Sequence, residues 1–504
     1  MDDLSVLLHG FEVALTFHHL TLMVAGVLIG ILVGVLPGLG APNGVALLLP
    51  ITFTMSPVSA IILLSSMYWG ALLGGSTTSI LFNIPGEPSS VATTFDGHPM
   101  AKQGKAAEAL SLAFLSSGFG ALVGVLVVTF VADDIAGFAL RFSPAEYFAV
   151  YLLAFCAFIG MGGADPLKTA VSLLLGLAFA SVGMDTVSGE MRLTFGQDDL
   201  VRGVSFLVAV IGLFGIGELL ATADDTEVVE GIRARIRPAA VLRTLLQMPR
   251  YAVALIRSAA IGVWMGLTPG GPTAASFMAY GIARRVSRRR HGFGRGEPEG
   301  VVSPETADHS AGVSALLPML ALGVPGSATA AVMMGGLMIW GLQPGPALFQ
   351  ERPDFVWGLV ASMYVANLVA LAIVLSTVPI FASVMRVPFA ILAPVILVVC
   401  LVGAWTIAGS GFDMWLVLAF GLLGYLFKKL DYPVAPLVLA MVLGDKAEDA
   451  FRQSMLISQG SLGVFWSNGL VGSITTLALL LLAWPLLSHL LRRARRGTPR
   501  ETAA

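Results

Sequence analysis

The chain has 504 residues, of which 56% are hydrophobic and only 12% charged, with 29 Lys and Arg against 31 Asp and Glu. Its mean hydropathy is +0.85. A soluble domain carries about 25% charged residues and a disordered chain is poor in apolar ones, so both classes are excluded. Helix interiors in water exclude most Gly and Pro, at roughly 1 to 3 kcal/mol each. Membrane bundles tolerate both, and this chain has 57 Gly and 27 Pro.

A transmembrane helix needs about 20 apolar residues to cross a core roughly 30 Å thick. In chain order, such runs predict spans at 20–37, 56–82, 109–131, 145–163, 166–183, 203–222, 251–268, 355–384, 388–409, 412–427 and 463–491. The first lacks a basic leader region and a small-residue cleavage site, so it reads as a span rather than a removable signal. Shorter apolar pieces at 43–55, 273–283, 312–324, 327–342 and 433–444 fall short of a full crossing, and several are bounded by Pro-Gly. Irregular backbone survives at membrane depth only inside protein or along a wet cavity, so these pieces are expected to form re-entrant hairpins or broken helices. The predicted fold is an all-α polytopic membrane protein with roughly 10 to 12 transmembrane helices.

Residues 1–101 contain no Lys or Arg, and only Lys102, Lys105, Arg141, Lys168, Arg192 and Arg202 precede residue 224. Most of the others cluster at 233–257, 284–295 and 492–500. The positive-inside rule puts these clusters and the C-terminus in the cytoplasm, and the acidic N-terminus with Asp2, Asp3 and Glu12 in the periplasm. The basic clusters have no interleaved aromatic residues, which argues against nucleic acid and for the bilayer. Cys156 and Cys400 lie in apolar segments and are too few for a disulfide framework or a metal site.

The two halves share a pattern. Ile29, Gly30, Gly34, Pro37 and Gly38 recur 232 residues later as Ile261, Gly262, Gly266, Pro269 and Gly270. Pro85-Gly86 recurs 240 residues later as Pro325-Gly326, and Asp165 and Gly176 recur 248 residues later as Asp413 and Gly424. This order predicts a duplication, with a first repeat at 1–222, a polar amphipathic linker at 223–250 and a second repeat at 251–504. Paired interruptions of this kind point to a transporter's binding site.

Two pairs of motifs carry the candidate chemistry. The first runs from Gly34 through Pro37, Gly38, Gly40 and Asn43, with its counterpart at Thr268, Pro269, Gly270 and Gly271. Proline and glycine free backbone carbonyls and N–H groups there, which suits an ion-binding turn or a hinge. The second has Asn83, Pro85, Gly86, Glu87, Pro88, Ser89, Ser90 and Thr93 in one half and Gly323, Pro325, Gly326, Ser327 and Thr329 in the other. Each break ends one short helix and starts another. Free N–H groups and a positive dipole at the new helix favour a carboxylate, while carbonyls ending the preceding helix suit Na⁺. One of Ser89 and Ser90 is expected to serve as a plain N-cap.

These residues resemble the large permease subunit of the tripartite tricarboxylate transporters. The resemblance rests on Leu36-Pro37-Gly38-Leu39-Gly40, on Asn83 to Thr93 followed by Asp96-Gly97-His98-Pro99-Met100-Ala101, and on Glu299-Gly300-Val301 with Pro304-Glu305. It continues through Leu322 to Thr329 and Leu443-Gly444 with Arg452-Gln453-Ser454, so it covers nearly the whole chain. The family favours paired asparagines where this chain has Asp308-His309. The resemblance implies inverted repeats, a small membrane subunit, a periplasmic solute-binding protein that delivers a carboxylate, and an elevator-like movement of the hairpins. A homodimer is compatible with it.

Among charged residues, Glu87 stands beside the first break and is a candidate proton carrier or a dipole-favoured acid. Asp165 and Asp413 are expected to cap helices. Glu305, Asp308 and His309 read as solvated cytoplasmic loop residues. The scarcity of buried acids favours Na⁺ over a proton relay, with no other cofactor. The expected function is import of an organic di- or tricarboxylate across a bacterial inner membrane, driven by a sodium or proton gradient. The alternatives are a carboxylate symporter acting alone and an intramembrane enzyme; the chain has no His-Glu-x-x-His, Gly-x-Ser-Gly or Gly-x-Gly-Asp motif to support the latter.

Overall fold

The computed structural model describes residues 3–36, 39–161, 165–185, 189–222, 232, 234, 236, 238–268, 271–384, 389–408 and 410–496. The first half contains α1 (Asp3–Ala14), α2 (Phe17–Val35), α3 (Gly40–Thr52), α4 (Pro57–Phe82), α5 (Val91–Met100), α6 (Ala106–Ala139), α7 (Pro144–Met161), α8 (Pro166–Ala180), α9 (Phe206–Val210) and α10 (Gly217–Thr222). The second contains α11 (Pro238–Gln247), α12 (Ala252–Leu267), α13 (Gly271–Val286), α14 (Glu299–Ser314), α15 (Leu316–Leu322), α16 (Ala328–Ile339), α17 (Ala347–Glu351), α18 (Pro353–Val384), α19 (Phe389–Ala408), α20 (Gly411–Lys429), α21 (Val434–Ile457) and α22 (Gly469–Arg496). The strands among the described residues are a two-residue antiparallel pair, Gly183–Met184 with Met191–Arg192.

Among the described residues, five helical stretches are long and apolar enough to cross a membrane: Phe17–Val35, Pro57–Phe82, Pro88–Ala139, Pro353–Phe381 and Gly411–Lys429. The chain is therefore an all-α multi-pass membrane protein, as its composition requires. Water exclusion drives little helix pairing in lipid, so pairing depends on close packing through small residues. Here Gly30 and Gly34 of α2 lie so near α4 that an added Cβ would stand 2.0 Å from the carbonyl oxygens of Met67 and Ala71. The same geometry recurs in the second half. A Cβ on Gly262 or Gly266 of α12 would stand 2.4 Å from Ala307 O or 2.6 Å from Ala311 O of α14. The lateral helices pair across the halves, with α8 along α21 and α20 along the stretch 206–222.

Three sequence expectations need correction. Residues 299–314 form no solvated loop: they make α14, continued by α15 after Ala315, and Glu305, Asp308 and His309 are buried within it. Their polarity is tolerated because α14 is enclosed by α4, α5, α6, α12 and α13 rather than by lipid. The piece at 433–444 belongs to the 24-residue α21. Asp165 does cap α8, accepting from Leu167 N–H at 2.9 Å, but Ser410 rather than Asp413 caps α20, accepting from Phe412 N–H at 3.1 Å. Of the polar linker, 223–231 and residues 233, 235 and 237 lie outside the described residues.

Candidate functional site

The two long breaks are built alike. Helix α4 ends at Phe82, and Asn83 takes the left-handed conformation with φ of 59°. Pro85-Gly86 then turns the chain into a short helical turn, Pro88–Ser90, that leads into α5. In the second half α15 ends at Leu322, Gly323 takes φ of 68°, and Val324-Pro325-Gly326 leads to Ser327, whose side chain caps α16 by accepting from Ala330 N–H at 3.1 Å. Each tip glycine sits against the other broken helix of its own half. A Cβ on Gly86 would lie 1.8 Å from Gly34 O, and one on Gly326 would lie 2.3 Å from Gly266 O. The entries to α3 and α13 correspond as well: Gly40 has φ of 59° and Gly271 has φ of 60°. Gly40 faces Glu87, and Gly271 faces Ser327.

Both tips meet at one cavity of about 640 Å³. Pro85, Gly86, Glu87, Pro88 and Ser89 line it from the first half and Gly326, Ser327 and Thr329 from the second, together with Gly40, Asn43 and Gly271. Asn83, Ser90, Thr93, Gly323, Pro325 and Thr268 lie off its wall. Ser90 Oγ accepts from Ser79 Oγ at 2.9 Å and from Glu87 N–H at 3.3 Å and donates to Glu87 O at 2.8 Å; at the N-cap position of α5 it makes no side-chain cap bond, so the plain N-cap expected of one of the two serines is not formed. The Ser89 hydroxyl faces Asp308 of α14 without completing a hydrogen bond. Thr268 Oγ1 donates to Trp264 O at 3.0 Å, at the end of α12. Pro37, Gly38, Pro269 and Gly270 lie outside the described residues.

Glu87 is buried and accepts a hydrogen bond from Ala41 N–H at the start of α3. One acid thus ties the first tip to the neighbouring turn, in keeping with a carboxylate's preference for a helix N-terminus. Sequence reasoning missed the cavity's cation. Lys428, from the last turn of α20, lines the wall and pairs with Glu218 of α10. It also missed Tyr68 of α4, whose buried hydroxyl faces Ser327 and Thr329 without completing a hydrogen bond.

Behind the first tip lies a second polar layer. Glu305 accepts from Ser76 Oγ of α4 at 2.8 Å, Ser117 Oγ of α6 at 2.8 Å and Thr93 Oγ1 of α5 at 2.6 Å. Three hydroxyl donors satisfy a buried carboxylate in its ionised form. Buried acids are therefore not scarce in this chain, and that reason for preferring Na⁺ falls away. On the far side of α5, Asp96 Oδ1 accepts from the N–H groups of Gly294, Arg295, Gly296 and Glu297 at 2.8 to 3.1 Å. Tyr280 Oη donates to Asp96 Oδ2 at 2.9 Å.

These features define a multi-pass membrane protein in which two broken helices from opposite halves converge on one polar cavity. The chain belongs to the tripartite tricarboxylate transporter TctA family, whose model matches residues 20–439. It is 36% identical over 481 residues to a 52.8 kDa protein in the TAR-I ttuC′ 3′ region of Agrobacterium vitis, covering 95% of each chain. A protein in the TAR-II ttuC′ 3′ region of the same organism is 32% identical over 219 residues, which span 43% of this chain and 90% of that protein. No solved structure matches.

Proposed function

We propose that this chain is the large permease subunit of a binding-protein-dependent secondary transporter, rather than an enzyme. It imports organic di- or tricarboxylates across a bacterial inner membrane at the expense of a sodium or proton gradient. The observation that carries this reading is the meeting of the two Pro-Gly tips, 240 residues apart in sequence, on one cavity wall. N–H groups at the start of α16 have no intrahelical acceptor, and together with the Ser89 hydroxyl and the Lys428 ammonium they offer an anion hydrogen-bond donors. The repeated glycine-to-carbonyl contacts support two repeats, which the proposal orients with opposite topology, N-terminus periplasmic and C-terminus cytoplasmic. Its partners are a small membrane subunit and a periplasmic solute-binding protein; a homodimer is one assembly open to it.

The test is uptake into proteoliposomes holding both membrane subunits, supplied with carboxylate-loaded binding protein under imposed Na⁺ or proton gradients. Absence of carboxylate uptake under every gradient overturns the reading. Within that assay, Lys428→Gln raises KM with little change in maximal rate. The increase is at least about tenfold, the equivalent of one hydrogen bond to a charged group.

A further inference from the structure

Asp308 takes no part in the contacts that build the two tips. It is fully buried on α14, and neither carboxylate oxygen has a hydrogen-bond partner. Glu305, one turn earlier, is already held by three hydroxyls. His309 stands beside both acids, with Nδ1 3.9 Å from Glu305 Oε2 and 3.9 Å from Asp308 Oδ2. Its Nδ1 also lies 3.2 Å from the Glu305 carbonyl, which makes Nδ1–H the donor and leaves Nε2 as an acceptor with no partner. Polar atoms of the three side chains all lie within 4.8 Å of one another.

Two adjacent buried carboxylates cannot both stay charged without a counter-ion, because each uncompensated ion costs several kcal/mol. Among the described residues no Lys or Arg pairs with either. The groups facing Asp308 from the elements packed around it are Glu87 and Ser89 of the first tip and Tyr68 of α4, besides Glu305 and His309 on its own helix. All the added charge is negative, so the site must take up a positive one. The unpartnered His309 imidazole favours a proton over a metal cation. Na⁺ seeks a shell of oxygens, whereas imidazole is a poor partner for hard cations and a good proton acceptor. Ser89 and Tyr68 also line the substrate cavity, so they stand between the anion proposed there and Asp308.

We propose that the Asp308–His309 pair carries the coupling proton of this chain, loaded together with the carboxylate at the neighbouring tips. The inference rests on the proposed transport function and adds the identity of the ion. With Asp308 neutral, an anion at the tips faces one buried negative charge fewer; with Asp308 ionised, the anion is repelled more strongly. Linkage is reciprocal, so the bound anion also raises proton affinity at the pair. Apparent carboxylate affinity therefore falls as pH rises through the titration of the pair.

The experiment compares wild type, D308N and H309Q in proteoliposomes with both membrane subunits, citrate-loaded binding protein and a trapped pH dye. Wild type is expected to accumulate citrate under an inward proton gradient at zero Na⁺ and to acidify the lumen. D308N is expected to lose both responses, and its citrate affinity no longer varies with pH. In detergent, a difference titration of purified wild type against D308N shows one proton site missing from the variant. Accumulation driven by Na⁺ alone at equal pH, pH-driven accumulation retained by both variants, or superimposable titrations would each overturn the proposal. If wild type moves no carboxylate at all, the transport reading fails, while the titration still decides whether the pair binds a proton.

Discussion

Alanine at Gly86 or Gly326 abolishes carboxylate uptake while the chain still reaches the membrane. The added methyl would have to occupy space 1.8 Å from Gly34 O at the first tip and 2.3 Å from Gly266 O at the second. Both obstacles are backbone atoms of tightly paired helices, so neither can swing aside as a side chain would. The tip must move by roughly an ångström, and displacements of that size cost about 100-fold where groups have to be held in register. Gly137 and Gly281 serve as controls, because a Cβ there meets nothing within 4 Å. Alanine at these helical positions is expected to keep transport and to gain roughly 0.5 to 1 kcal/mol of stability. Initial rates in proteoliposomes, normalised to inserted protein, separate the cases. Normal transport by the Gly86→Ala, Gly326→Ala double variant would remove the tips from the site.

The largest loss of stability is expected from Asp96→Ala. Its carboxylate gathers four consecutive N–H groups of the turn before α14 and the Tyr280 hydroxyl. Removing it strands several donors, each costing about 1 to 3 kcal/mol when left unpaired out of water, and it also opens a void beside Gly300. A combined cost of at least about 3 to 5 kcal/mol is expected, typical of breaking a buried charged network from one side. Asp96→Asn keeps one oxygen for the turn and an amide that can donate to Tyr280, so it recovers most of that loss. Thermal unfolding in detergent, read as the midpoint of loss of the monodisperse species, ranks the three proteins. An alanine variant as stable as wild type would show that the turn is held by other contacts.

The long apolar helices were legible because lipid contact leaves its mark on composition, and the tips were legible because Pro-Gly interrupts such runs at matching positions. Helix α14 was not. Ser303, Pro304, Glu305, Thr306, Asp308, His309 and Ser310 read as a water-exposed stretch, since hydropathy distinguishes lipid from water but not from an interior lined by protein hydroxyls. The signal that could have found it was already present. Adding 240 to the bounds of α4, 57–82, gives 297–322, the stretch that α14 and α15 occupy. Once the offset was established at the tips, it should have outweighed local polarity. Lys428 and Tyr68 offered no comparable signal, because a lysine in the last turn of a helix and an aromatic residue within an apolar run are ordinary in sequence and gain meaning only from what faces them.

The cradle around Glu305 also bears on how the protein is made. Ser76, Thr93 and Ser117 are synthesised roughly 190 to 230 residues before the carboxylate they serve, long enough for their helices to enter the bilayer first. Until α14 arrives, those hydroxyls lack the carboxylate and can fall back on carbonyls of their own helices, as Ser76 does with Leu72 O. The newborn first half is thus a holding state, serviceable in lipid but unfinished, and the late insertion of one polar helix locks it. Co-expressed as separate fragments, the two halves should protect each other from proteolysis, and the first should do so less well when its partner carries Glu305→Leu.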